Sequence, residues 1–139
     1  METRYPNGMT DLIWAASHGE TVEVIRLLEL GENIKARDDW GRTALIAAVA
    51  GGHAEVVQIL IERGADPNAS NHKGMTAVTE AALKGRGDII EILVQAGGDV
   101  SHTNRAGESP LSIGLSRGDS WIRPYLTKPK QKRFDRSRP

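Results

Sequence analysis

Cysteine is absent from the 139 residues, which excludes disulfides, thiolate zinc sites and cysteine nucleophiles. Its absence suits a reducing compartment. Long apolar runs are missing too. The longest, residues 44–50, falls far short of the roughly 20 residues that a membrane-crossing helix needs. Met1-Glu2-Thr3-Arg4-Tyr5-Pro6 lacks the basic stretch and apolar run of a secretory signal. The expectation is a soluble, cytoplasmic protein. Net charge is also absent, but the zero hides an asymmetry. Residues 1–122 hold 11 Lys or Arg and 17 Asp or Glu, a net of −6. Residues 123–139 hold 7 basic residues against Asp135 alone, a net of +6.

What is present is an ordinary globular balance, with 26% charged residues, 39% hydrophobics and 15 glycines, so wholesale disorder is not expected. The length fits one domain or a short repeat array. A repeat is what the residues give. Thr10, Thr43, Thr76 and Ser109 lie 33 residues apart each time. Gly8, Gly41, Gly74 and Gly107 keep the same interval, as do Gly19, Gly52, Gly85 and Gly118. Leu12, Leu45, Val78 and Leu111 follow it, and so do Leu27, Leu60, Leu93 and Leu126. A fixed period of this size marks a stacked repeat architecture.

One unit reads from Asp38 to Asn71. Asp38-Asp39-Trp40-Gly41 has turn chemistry, and Thr43 caps a helix over Ala44–Ala50. Gly51-Gly52 breaks that helix. A second begins near His53 with Val56, Val57, Leu60 and Ile61 at helical spacing, and Gly64 stops it. Such a unit cannot bury its own apolar face, so it must stack on neighbours.

Gly41-Arg42-Thr43-Ala44-Leu45, Gly52-His53 and Gly64-Ala65-Asp66-Pro67-Asn68-Ala69 closely resemble the ankyrin repeat. The resemblance covers roughly residues 5–126. It implies an all-α solenoid of about four helix-turn-helix units joined by β-turns, with repeats at about 5–37, 38–70, 71–103 and 104–126. The last reads as a degraded cap, with Gly114 where alanine is usual and Pro124 inside the expected second helix. Residues 1–126 are the expected repeat domain, and 127–139 a basic C-terminal tail.

Chemistry is hard to find. His18, His53, His72 and His102 show no metal-binding spacing, and His53 occupies the Gly-His position of the resemblance, where it supports the helix connection. Gly51-Gly52 and Gly85-Arg86-Gly87 follow no strand and end in no Gly-Lys-Ser/Thr, so they are not phosphate loops. Arg86-Gly87-Asp88 and Arg117-Gly118-Asp119 contain an adhesion tripeptide, but glycine is already demanded there by the repeat. No triad or carboxylate pair stands out, and solenoids rarely build a deep apolar pocket. A non-enzyme without cofactor or metal is expected.

The resemblance implies that partners contact the turn tips and the concave face of each first helix. The candidates are Asp39, Trp40 and Arg42, then His72, Lys73 and Met75, then Arg105 and Glu108, with Lys84 and Arg117 from the helix ends. Trp40 either contacts a partner or folds back over the neighbouring turn. Lys73, Lys84, Arg105 and Arg117 make one half of this surface basic, to the benefit of an acidic partner. Trp14 lies on the concave face or caps the end, and Trp121 seals the C-terminal cap. Family resemblance also implies Asn68 as a hydroxylation acceptor.

In the tail, Lys128, Lys130, Lys132, Arg133, Arg136 and Arg138 form an anion-binding run. It reads as a phosphate contact to nucleic acid, as a nuclear import signal, as a dock for an acidic protein, or as a solubilising terminus. The leading expectation is a monomeric protein-binding module acting as adaptor, inhibitor or neutralising partner. The alternative is a nucleic-acid-associated factor that uses the tail.

Overall fold

The computed structural model describes residues 5–125. Seven α-helices follow in order: α1 (Asp11–Ser17), α2 (Thr21–Glu29), α3 (Ala44–Ala50), α4 (Ala54–Glu62), α5 (Ala77–Leu83), α6 (Gly87–Gln95) and α7 (Pro110–Arg117). Short 3-10 turns at Pro6–Gly8 and Ser120–Ile122 flank them. Among the described residues the only β pairing is an isolated antiparallel bridge between Ser70 and Thr76.

Each first helix starts from the same chemical device. Thr10, Thr43, Thr76 and Ser109 sit in extended backbone, and each side-chain oxygen accepts from the amide three residues on. That hydrogen bond satisfies an amide with no partner inside the helix. Ser109 adds a reciprocal bond, since Ser112 Oγ accepts from the Ser109 amide at 2.9 Å. Helices this short are marginal alone, so their stability comes from packing. Alanine-rich α3 is buried along residues 44–49, which lets its neighbours approach closely.

The helices form two rows. In one, α1, α3, α5 and α7 pack successively; in the other, α2 packs on α4 and α4 on α6. Between the rows lies one core that includes Leu12, Leu45, Val57, Leu60, Val78, Ile90 and Leu93. The second helices bury a single stripe, for example Val56, Val57 and Leu60 in α4, as the spacing predicts.

Cross-boundary clamps lock the stack. His53 Nε2 donates to the Ser17 carbonyl at 3.0 Å, Arg86 Nη1 to Gly52 at 3.1 Å, and Arg117 Nη1 to Leu83 at 2.7 Å. Each reaches a carbonyl at or just beyond the end of a first helix, where acceptors lack intrahelical partners.

The fourth unit is atypical in a way its sequence half discloses. A 3-10 turn stands where its second helix should open, and the α-helical stretch begins only at Arg123. That leaves Pro124 at the second position of the stretch, where no α-helical amide bond is needed. Trp121 is partly buried against the core. A methyl group added at Gly114 would lie 2.7 Å from Trp121 Cζ2 and closer still to Ile122 Cγ2. Glycine stands there because the cap's own large side chains fill the alanine site.

Candidate functional site

The turns that join the units are built by one Asp or Asn side chain apiece, buried at Asp38 and Asn104 and half-buried at Asn71. Asp38 Oδ1 accepts from the Trp40 amide at 3.0 Å and the Arg42 amide at 2.9 Å. Its Oδ2 accepts from Arg42 Nε at 2.7 Å. The Asp38 side chain is 0% exposed and that of Arg42 27%. Gly41 closes the turn at φ +81°, a conformation that side chains disfavour. Asn71 repeats the device, its Oδ1 accepting from the Lys73 amide at 2.8 Å and the Met75 amide at 3.0 Å. Asn104 does so again for Ala106 and Glu108.

Adjacent turns then stack by main chain. The His72 amide donates to the Trp40 carbonyl at 3.0 Å. Between these two turns lies an open groove of about 490 Å³, lined by Trp40, Arg42, Asn71, His72, Lys73, Met75 and Glu80. Trp40 is 48% exposed, and the Arg42 guanidinium lies over its ring, 5.2 Å from the centroid. One area of the indole is thus covered by Arg42 of its own turn, and the rest is open.

Five of the residues picked from sequence thus meet in one groove: Trp40, Arg42, His72, Lys73 and Met75. Asp39, Lys84, Arg105 and Glu108 are exposed but do not line it. Glu108 also accepts from Asn104 Nδ2 at 3.1 Å. Arg117 is committed to the Leu83 carbonyl and lies 3.7 Å from Asp119. The six basic tail positions, Lys128 to Arg138, lie outside the described residues. Sequence reasoning missed Asp38, Asn71 and Glu80. For the first two a signal existed, because Asp38, Asn71 and Asn104 keep the 33-residue interval. Glu80 gave none.

Other sequence features resolve into structure. Trp14 stacks on His18 at 4.1 Å and lies parallel to Tyr5 at 6.0 Å, forming an aromatic strip at the first unit. Both polar atoms of the Asn68 amide are engaged, with the Gly97 carbonyl at 2.9 Å and the Asp99 amide at 2.8 Å. In Arg86-Gly87-Asp88 the two charged side chains bind each other, at 3.0 and 2.9 Å. The hydrogen bond from Arg86 holds the Asp88 carboxyl below its ordinary range and raises Arg86. A similar pair, Arg26 and Glu23, shifts both groups in the same senses. Both are surface ion pairs of the second helices, remote from the groove. Among the described residues, no three His, Cys, Asp or Glu side chains converge on a metal position, and no helix is long and apolar enough to cross a membrane.

A search among curated proteins finds no match for the chain. Family models do match. One for ankyrin repeats in three copies covers residues 1–71, and one for ankyrin repeats in many copies covers residues 52–94. With the capped helix pairs, the stacked turns and the 33-residue interval, these matches establish that the chain belongs to the ankyrin-repeat family.

Proposed function

We propose that this ankyrin-repeat chain is a non-enzymatic protein-interaction module, an adaptor, inhibitor or neutralising partner, which binds through its turn tips and first-helix face. Ankyrin repeats are generally protein–protein interaction modules. The observation that carries the reading is the groove between the second and third turns. It offers a half-exposed indole, a thioether and two cationic side chains on backbone that is already fixed. Tryptophan and arginine dominate interface hot spots, and a preorganised surface loses little freedom on binding. The protein acts as a cytoplasmic monomer on this reading, and residues 1–126 form the binding unit.

The test is nuclease-treated capture from lysate of the source cells, using the full chain and a Trp40→Ala, Lys73→Ala double variant side by side. Circular dichroism establishes that the variant is folded. Loss of a hot spot of this kind costs on the order of 2 kcal/mol, or roughly thirtyfold in affinity. Undiminished capture by the folded variant sinks the groove as the contact surface. Capture that instead fades steeply with salt favours the basic tail and a nucleic-acid-associated role.

A further inference from the structure

The charges in the groove are arranged unequally, and the arrangement says what fills it. Arg42 is held twice, by Nε on buried Asp38 and by its guanidinium over the Trp40 ring. Its two Nη groups have no protein partner among the described residues. Lys73, on the facing turn, lines the same groove, and its ammonium is also without a side-chain partner among the described residues. Residues 1–122 carry a net of −6. Asp38, already spent on Arg42, and Glu80 in the groove balance this pair, so what the groove offers is open donor groups on two cations. Beside them lie the exposed part of Trp40 and the side chain of Met75.

We propose that the groove takes an extended peptide segment of a partner protein, in which one carboxylate side chain stands next to one apolar side chain. This rests on the protein-binding reading above and names the partner's chemistry. The carboxylate pairs with the Arg42 Nη groups and Lys73, and the apolar side chain covers Trp40 and Met75. A guanidinium offers carboxylates a two-point geometry, and one already fixed by its neighbours gives up little rotamer freedom to use it. Glu80 limits the charge. It lines the same groove, and its carboxylate, without a partner among the described residues, repels a second acid. The occupant is a singly acidic segment, not an acidic tract.

The experiment is an NMR titration of the isotope-labelled full chain with three short blocked peptides. All are neutral apart from a central pair, in which leucine is followed by glutamate, glutamine or lysine. The Trp40 indole N–H, assigned through Trp40→Phe, and the Met75 methyl report on the groove. The glutamate peptide is expected to move both signals. The glutamine peptide should bind roughly tenfold more weakly, the size expected for losing charge-assisted hydrogen bonds. Lys73→Glu should abolish the preference. Lys73 is exposed, so this variant folds, whereas replacing Arg42 strands the buried Asp38 carboxylate.

Four outcomes overturn the proposal: no response, equal response to glutamate and glutamine, preference for lysine, or shifts confined to residues after 125. If the peptides fail while the Trp40→Ala, Lys73→Ala variant still loses its natural partner, the protein-binding reading stands and this inference alone falls.

Discussion

Where the second and third units meet, the His72 amide donates to the Trp40 carbonyl at 3.0 Å; where the third and fourth meet, Arg105 donates to Lys73 at 3.0 Å. The two junctions share backbone, glycine and Asx side chain. Their tips do not match. The first carries Trp40, Arg42 and Met75 around a groove. The second carries Arg105, Ala106 and Glu108, and Glu108 is bound to Asn104 in its own turn. Nothing in the fold requires the difference, because both turns close the same way. The scaffold sets where side chains are displayed, and the tip residues set what is displayed.

The sharpest way to break this comparison is to remove the buried anchor at each turn. Asp38→Ala deletes the acceptor for two amides and for Arg42 Nε, leaving a guanidinium and two amides to find water. Hydrogen bonds to a charged acceptor are worth about 1.5–3 kcal/mol each, and with Arg42 part-exposed to water a loss of roughly 3 kcal/mol is expected. Asn104→Ala removes the acceptor for two amides but no charge pair, and about 1–2 kcal/mol is expected. Urea denaturation of both variants measures the gap. Equal losses would mean that the Asp38–Arg42 pair adds nothing to the hydrogen bonds the two turns share.

A second test contrasts the regular third unit with the cap. Gly114→Ala forces a methyl against Trp121 and Ile122, and overpacking of this kind costs about 1–3 kcal/mol. Adding Trp121→Ala frees much of that space, so in this background the alanine should cost less than it does alone. A double-mutant cycle reads the coupling directly. Additive effects would mean that Trp121 does not fill the alanine site of α7.

The contrast also shows what was readable from residues alone. The 33-residue interval, the Thr and Ser caps and the glycine stops placed the helices α1 to α7, because capping and chain reversal are local chemistry written in single side chains. Trp40 could be placed in a turn for the same reason, while Met75 is placed on a tip by the resemblance. That they share a groove could not be read, since the groove exists only once His72 bonds to the Trp40 carbonyl across a boundary. Asp38 looked like ordinary turn composition. Its burial follows from the stacking of units, which no single unit discloses. Glu80 lies within an α5 that reads as packing helix, and Gly114 reads as decay until Trp121 is in place. What escaped the sequence was in each case contact between elements, across units at the groove and inside the cap at Gly114.

The smallest expected effect separates the two Arg-Gly-Asp tripeptides. At the start of α6 the Arg86 guanidinium binds Asp88 through two hydrogen bonds, at 3.0 and 2.9 Å. In the cap, Arg117 lies 3.7 Å from Asp119 and spends its short hydrogen bond on Leu83. The Arg86 hydrogen bond is the largest cause of the lowered Asp88 value, outweighing the desolvation that opposes it. A carboxyl whose folded value is depressed contributes stability that is present above its unfolded value, about 3.9, and is lost as pH falls through the folded value. Asp88→Asn should therefore lower Tm slightly at pH 7 and not at all at the acid end, so that the two melting curves converge on acidification. The pair is exposed and screened by solvent, which keeps the difference small. Melting the wild type and Asp88→Asn at pH 7, 4 and 2 decides the point: a constant offset across that range would show that Asp88 acts through packing at the start of α6, and that its charge contributes nothing.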